Sequence, residues 1–244
     1  MRTTRTVAVL FITLLSQASC IQRTRHEVGV PPNAVIAHRG LSYWAPEETA
    51  PAFELARDLG ADYLEADIQR TKDGVLVCFH DDDLSRTTNA SDVFPGREKD
   101  PISTFTLAEL KSLDAGSWFN REREDRARFS FVGLKILTLD ELIDIAEDIR
   151  EGRPGICLET KKPELYPGIE RDLKKTLASR GWDGRDLSRR LLLQTFARDS
   201  LVNLNKEFPG VPKILLLWRG EGHIEDDKPE TYEEALDFAV SNGA

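Results

Sequence analysis

Gly60-Ala61-Asp62-Tyr63-Leu64-Glu65-Ala66-Asp67-Ile68 is a short apolar run broken by acids. From Tyr63 onward it alternates. Leu64, Ala66 and Ile68 fall on one face of an extended chain, and Glu65 and Asp67 fall together on the other. Carboxylates are costly to bury without a partner. A strand that carries two of them on one face therefore packs against helices on its apolar side and lines a polar site on the other.

Further apolar runs flank this one. The predicted strands are Val35–Ala37, Tyr63–Ile68, Val75–Phe79, Ile156–Leu158, Leu191–Phe196 and Ile214–Trp218. They are short and continuous, as strands covered on both faces are. Helical signals lie between them. Thr49 precedes Pro51 in a segment ending at Gly60, Thr138 pairs with Glu141, and Thr231 pairs with Glu234. The last two pairs are capping boxes, and Gly181 and Gly243 read as C-terminal stops. Strands alternating with helices predict βαβ units and a parallel sheet.

Two places break the alternation. Only Arg70-Thr71-Lys72-Asp73-Gly74 joins the second and third strands, too few residues for a helical crossover, so either a tight loop is used or the pairing differs locally. Residues 83–135 form a polar insertion with one predicted short helix near Thr106–Leu113, expected as a small subdomain over one end of the sheet. An eight-stranded βα barrel needs about 250 residues. Outside the insertion, residues 34–244 leave room for about six βα units. The expected fold is thus α/β, of the TIM (β/α)8-type barrel, with the last two units missing and strands one and six as open edges.

The chain has 244 residues, 42 acids against 33 bases, and a formal charge of −9. The acidic balance argues against nucleic-acid binding, which needs a basic patch. Three cysteines are too few for a disulfide scaffold. Residues 1–20 stand apart: Arg2 and Arg5, an apolar run from Val7 to Leu15, then Ser16-Gln17-Ala18-Ser19-Cys20. This is the pattern of a signal peptide, too short to span a bilayer. It predicts export, with cleavage after Ala18 or, more weakly because Gln17 replaces the usual aliphatic residue, with Cys20 as a lipoprotein cysteine and the only route to a membrane. Residues 21–33 read as a linker and 34–244 as one domain.

In parallel sheets, ligand sites form at the carboxyl ends of strands. Those ends carry His38-Arg39-Gly40, Glu65 and Asp67, His80-Asp81, Glu159-Thr160-Lys161, Gln194-Thr195-Phe196 and Trp218-Arg219. Converging carboxylates call for a cation, and oxygen donors suit Ca²⁺ or Mg²⁺. Two histidines can act as general acid and base, and Arg39 and Lys161 suit a phosphate. Together these residues point to metal-assisted cleavage of a phosphodiester. Lys161 has an equal reading as a partner of Glu159, and Gln194 and Trp218 read as pocket walls. His26 and His223 read as surface residues. Cys78 and Cys157 share the parity of His80 and Glu159, which would set both inside the barrel as buried free thiols or as a pair.

With those residues in place, the chain resembles the glycerophosphodiester phosphodiesterase family. The resemblance rests on Ala37-His38-Arg39-Gly40, Ala45-Pro46-Glu47, residues 60–67, Thr71-Lys72-Asp73-Gly74, His80-Asp81, Leu84-Ser85-Arg86-Thr87-Thr88, Leu158-Glu159-Thr160-Lys161 and Gln194-Thr195-Phe196. It implies a TIM-barrel hydrolase that cleaves small glycerophosphodiesters to an alcohol and glycerol 3-phosphate. It also implies one divalent cation on Glu65, Asp67, Glu159 and Glu47, catalysis by His38 and His80, and substrate contacts from Arg39 and Lys161. Glu48 departs from the family's usual Asn, and its charge bears on the metal shell or the phosphate. Two rival readings share the fold: phospholipase D-type action on lysophospholipid or sphingomyelin, and an inactive binding protein.

Overall fold

The computed structural model describes residues 29–148, 153–184, 186–217 and 231–244. Residues 1–28, with the export signal, Cys20 and His26, lie outside them, as do Trp218, Arg219 and His223.

The sheet is built around the run from Tyr63 to Ile68. β1 (Ile36–His38), β2 (Tyr63–Arg70), β4 (Gly155–Thr160), β5 (Leu191–Thr195) and β6 (Lys213–Leu215) pair in that order, all parallel. Leu64, Ala66, Ile68, Ile156, Leu158, Leu191 and Leu193 point outward into the main core, where Phe53, Leu142, Leu173 and Leu204 from the helices meet them. Each such aliphatic or aromatic side chain contributes roughly 1.5–3 kcal/mol by leaving water. The alternate residues Tyr63, Cys157 and Leu192 form a small inner cluster. Above it, on the same face, come the acids.

The third predicted strand does not join this array. β3 (Leu76–Cys78) pairs antiparallel with β2, Ile68 opposite Cys78 and Arg70 opposite Leu76. Turn residues 71–74 make it a hairpin, and Thr71 Oγ1 accepts from the Val75 amide at 2.9 Å. The described parallel strands therefore number five, and the expectation of six in one barrel path is corrected. The same pairing corrects the cysteines. Cys78 shares the outward face of Ile68 and joins the main core, whereas Cys157 lies in the inner cluster. Both are free and buried.

β1 and β3 lie in tandem along one edge of β2. Tyr63, Ala37 and His38 settle the parallel part, and residues 68–70 the antiparallel part. Asp67 falls at the junction, where its carbonyl accepts from the Phe79 amide at 2.8 Å.

The helices follow their caps. α1 (Ala50–Asp58) starts after Thr49 with Pro51 in its first turn. α5 (Leu139–Glu147) and α9 (Tyr232–Ser241) carry the capping boxes of Thr138–Glu141 and Thr231–Glu234. Such caps contribute about 1 kcal/mol each. α6 (Ile169–Ser179) and α8 (Arg198–Glu207) cover β4 to β6. Residues 83–135 hold more helix than predicted. α2 (Ala90–Val93) and α4 (Ser117–Glu122) accompany α3 (Leu107–Ser112), which is closed by a Thr106–Glu109 capping box. Four- to six-residue helices carry too little periodicity to be read from sequence. Leu84, Ala90, Ile102, Phe105, Leu110 and Leu113 build a second core there, continuous with Val77 and Phe79.

Candidate active site

Strand register assembles the acids. Asp67 is the Cα partner of Glu159, which is in turn the partner of Gln194. Glu65 is the partner of His38 on one side and Cys157 on the other. Cross-strand partners point the same way, so Glu65, Asp67, Glu159, Gln194 and His38 share one face. The result is a group in which one oxygen each from Glu65, Asp67 and Glu159 lies within 4.8 Å of the others, all three residues being buried.

Two cations border this group. Arg39 Nε is 3.3 Å from Asp67 Oδ2, and Lys161 Nζ is 3.4 Å from Asp67 Oδ1 and 2.9 Å from Glu159 Oε1. They do not quench it. Neither Asp67 oxygen has a hydrogen bond. Burial, then the charge of Asp67, pushes Glu65 up to about 8 and Glu159 up to about 7. Burial works against the charge of Lys161, but Asp67 and Glu159 outweigh it and hold this ammonium above its ordinary value. Hard, desolvated oxygens with unused lone pairs fit a divalent cation. Lys161 thus makes the expected pair with Glu159 and also borders Asp67.

Gln194, expected as a pocket wall, also supports the triad. Its Nε2 donates to Glu65 Oε1 at 2.8 Å, while the Arg39 amide donates to Glu65 Oε2 at 2.7 Å. Both oxygens of that carboxylate are therefore oriented. The Arg39 amide can do this because the chain turns through the left-handed region at Arg39 (φ 57°) and Gly40 (φ 77°). A Cβ on Gly40 would lie 2.6 Å from the Ala52 carbonyl carbon, so a side chain is excluded where this loop meets α1.

Glu47, expected on the metal with the other three acids, is placed differently. It falls outside the triad, in a second group with His80 and Asp81. Arg86 fills that group: Nε and Nη2 donate to Asp81 at 2.5 and 2.8 Å, and Nη2 and Nη1 to Glu47 at 2.5 and 3.2 Å. Burial would raise both acids, but hydrogen bonds from Arg86, and for Asp81 also from His80, hold them below the ordinary carboxylate range. Arg39 Nη1 reaches Glu47 at 3.1 Å and ties the two groups together.

The histidines flank the triad. His38 ends β1 beside Glu65. Desolvation, with the charges of Arg39 and His80, lowers its pKa despite Asp67 and Glu47. His80 follows β3, with Nδ1 2.6 Å from Asp81 Oδ1. Sequence reading passed over Asp81 and Arg86 as site residues, although the adjacent His80-Asp81 pair and the basic residue five positions on were the available signal.

The sequence profile of the Glycerophosphoryl diester phosphodiesterase family matches residues 38–242. A glycerophosphodiester phosphodiesterase of Bacillus subtilis is 40% identical over 210 residues, covering 85% of this chain and 67% of that protein. The enzyme of the same name from Caldanaerobacter subterraneus is 38% identical over 190 residues, covering 76% of this chain and 66% of that one. The chain thus spans about two thirds of the length of these relatives. Among solved structures, an Oleispira antarctica phosphodiesterase in complex with the product sn-glycerol-3-phosphate superposes with a TM-score of 0.61 at 31% identity, covering 85% of this chain and 72% of that one. An Agrobacterium tumefaciens glycerophosphodiester phosphodiesterase gives 0.57 at 28% identity, covering 74% and 65%. On register, acids and profile alike, the chain belongs to the glycerophosphoryl diester phosphodiesterase family.

Proposed function

We propose that this chain hydrolyses glycerophosphodiesters to an alcohol and sn-glycerol 3-phosphate with one divalent cation. The observation that carries this reading is the buried Glu65–Asp67–Glu159 triad, whose oxygens converge within 4.8 Å without enough positive charge to balance them. Glu65, Asp67 and Glu159 would hold the cation, which when bound supplies Lewis-acid charge at a phosphate oxygen. Calcium suits an all-carboxylate set better than magnesium, which keeps more of its waters.

The protein's own groups do the rest. Arg39 and Lys161 border the triad and can turn to the non-bridging phosphate oxygens. His38, whose pKa is lowered by burial and so favours the neutral ring, is suited to take a proton from the water whose oxygen bonds to phosphorus. His80, oriented through Nδ1 by Asp81, keeps Nε2 for returning a proton to the alcohol oxygen as its bond to phosphorus breaks. Gln194 and the Arg39 amide keep Glu65 aimed throughout.

The signal pattern of residues 1–20 supports export, and the mass of the mature N-terminus separates cleavage after Ala18 from lipidation at Cys20. The test of activity is glycerol 3-phosphate release from glycerophosphocholine with Ca²⁺, with Mg²⁺ and with chelator, beside lysophosphatidylcholine as a rival substrate. Calcium-dependent release from the diester is expected. Release that survives chelation, or turnover of the lysolipid alone, would overturn the reading.

A further inference from the structure

Glu48 is a buried acid outside the roles given above. Its residue is 4% exposed, and its backbone is held in the left-handed region at φ 59°, a conformation a glutamate rarely adopts. The Glu48 amide donates to the Arg39 carbonyl at 3.2 Å, which closes the loop after β1 and turns the side chain inward. Oε1 then accepts from the Asp67 amide at 3.0 Å. That amide belongs to the junction on β2 where β1 has ended and β3 has begun, so no strand supplies its acceptor. The glutamate acts as a wedge between the two strands and fixes the backbone of the central triad residue.

The other oxygen is the telling one. Oε2 is fully buried and meets no N–H or hydroxyl donor; the charges that act most strongly on the group are those of Asp67 and Glu65, both of its own sign, and its side chain interacts directly with that of Asp67. Arg39 and Lys161, the cations of the site, pair with Asp67, Glu47 and Glu159 instead. A purely structural acceptor for one amide needs no second oxygen in such a place, and a strained backbone is retained where the surroundings require it.

We propose that Glu48 is the fourth carboxylate of the cation site: Oε1 positions Asp67, and Oε2 contributes its negative charge to the bound ion. This rests on the metal-dependent reading above and adds a residue to it. The claim separates two roles, because an amide can keep the first and not the second.

The test is Glu48→Gln, measured by calorimetric Ca²⁺ titration and by thermal unfolding in chelator. The glutamine oxygen still accepts from Asp67, so the metal-free variant should fold and melt no lower than the wild type. Its Ca²⁺ affinity should fall by about tenfold or more, the scale on which residues supporting a metal site act. Unchanged calcium affinity would overturn the proposal while leaving the metal reading intact. A variant that does not fold would also overturn it, since the claim requires the amide to hold Asp67 in place. Absence of calcium binding by the wild-type chain would remove the metal reading, and this proposal with it.

Discussion

Two acidic groups lie next to each other at the carboxyl end of the sheet, joined by Arg39, and they are balanced in opposite ways. In the first, Glu65, Asp67 and Glu159 have their pKa values pushed up or their oxygens left without hydrogen bonds. In the second, Glu47 and Asp81 take four hydrogen bonds from one guanidinium and sit below the ordinary carboxylate range. The residue types are similar and burial is part of both. The difference is whether the protein supplies enough counter-charge of its own: Arg86 meets the second group on both sides, whereas Arg39 and Lys161 leave the three acids of the first short of balance. Where it does, the acids are structural and serve His80. Where it does not, the site is built for a charge from outside.

Removing a charge from each group should therefore have opposite consequences. Asp67→Asn should relieve the first group. We expect metal-free stability to be retained, Ca²⁺ affinity to fall by about a hundredfold or more, and turnover to drop below detection. Calorimetry and chelated melting curves measure the first two. A variant much less stable without metal would mean that the triad is a closed ion network like its neighbour, and the comparison would break.

Asp81→Asn removes charge from the second group and leaves the triad alone. The carboxamide can still meet Nδ1, but it no longer sets a full carboxylate charge against the ring. We expect kcat to fall by about tenfold to a hundredfold, part of the 10²–10⁴ attributed to a positioned acid or base. Calcium affinity should stay within about twofold, and the ¹⁵N shifts of the His80 ring should change. Intact kcat with altered metal binding would reassign Asp81 to the metal.

The two groups should also answer pH differently in the metal-free chain. Glu65 and Glu159 are raised in the folded state, to about 8 and about 7. Their contribution is complete below the ordinary glutamate value and is lost as pH rises through 7 to 8. Glu47 and Asp81 are lowered, so their contribution persists above the ordinary value and is lost only in acid. In chelator, the melting temperature should decline by several degrees between pH 5.5 and 8.5, and calcium should erase the decline. A flat profile in chelator would contradict the charge imbalance.

How far these groups were legible in the sequence differs in the same way. The triad was readable because Glu65 and Asp67 interrupt apolar residues at a period of two, and Glu159 ends the next parallel strand. Parity and strand ends suffice for that. The Glu47–Asp81–Arg86 group was not, because its members come from two loops and no periodicity links them. The same limit explains β3. Its residues look like any buried strand, and only pairing partners distinguish an antiparallel hairpin from a barrel strand. The five-residue link was the one local clue. The height of Gln194 is legible from its strand end, but its hydrogen bond to Glu65 is not, since that depends on side-chain direction across β4.

The smallest effect tests how much geometry the second group needs. Arg86 is 41% exposed in its side chain and lies over the Trp118 ring at 5.7 Å, with Asp81 and Glu47 on either side of its fork. Arg86→Lys keeps the charge and gives up the planar, two-sided donation that holds both acids at once. Partial exposure lets water replace some of the lost bonds, as for surface pairs generally. We expect kcat to fall only about twofold to fivefold, with calcium affinity unchanged and the melting temperature lowered by a few degrees. The same loss on adding salt to the wild type would show charge alone at work. A loss specific to the lysine variant, and insensitive to salt, would show that the guanidinium's shape holds Asp81 against His80.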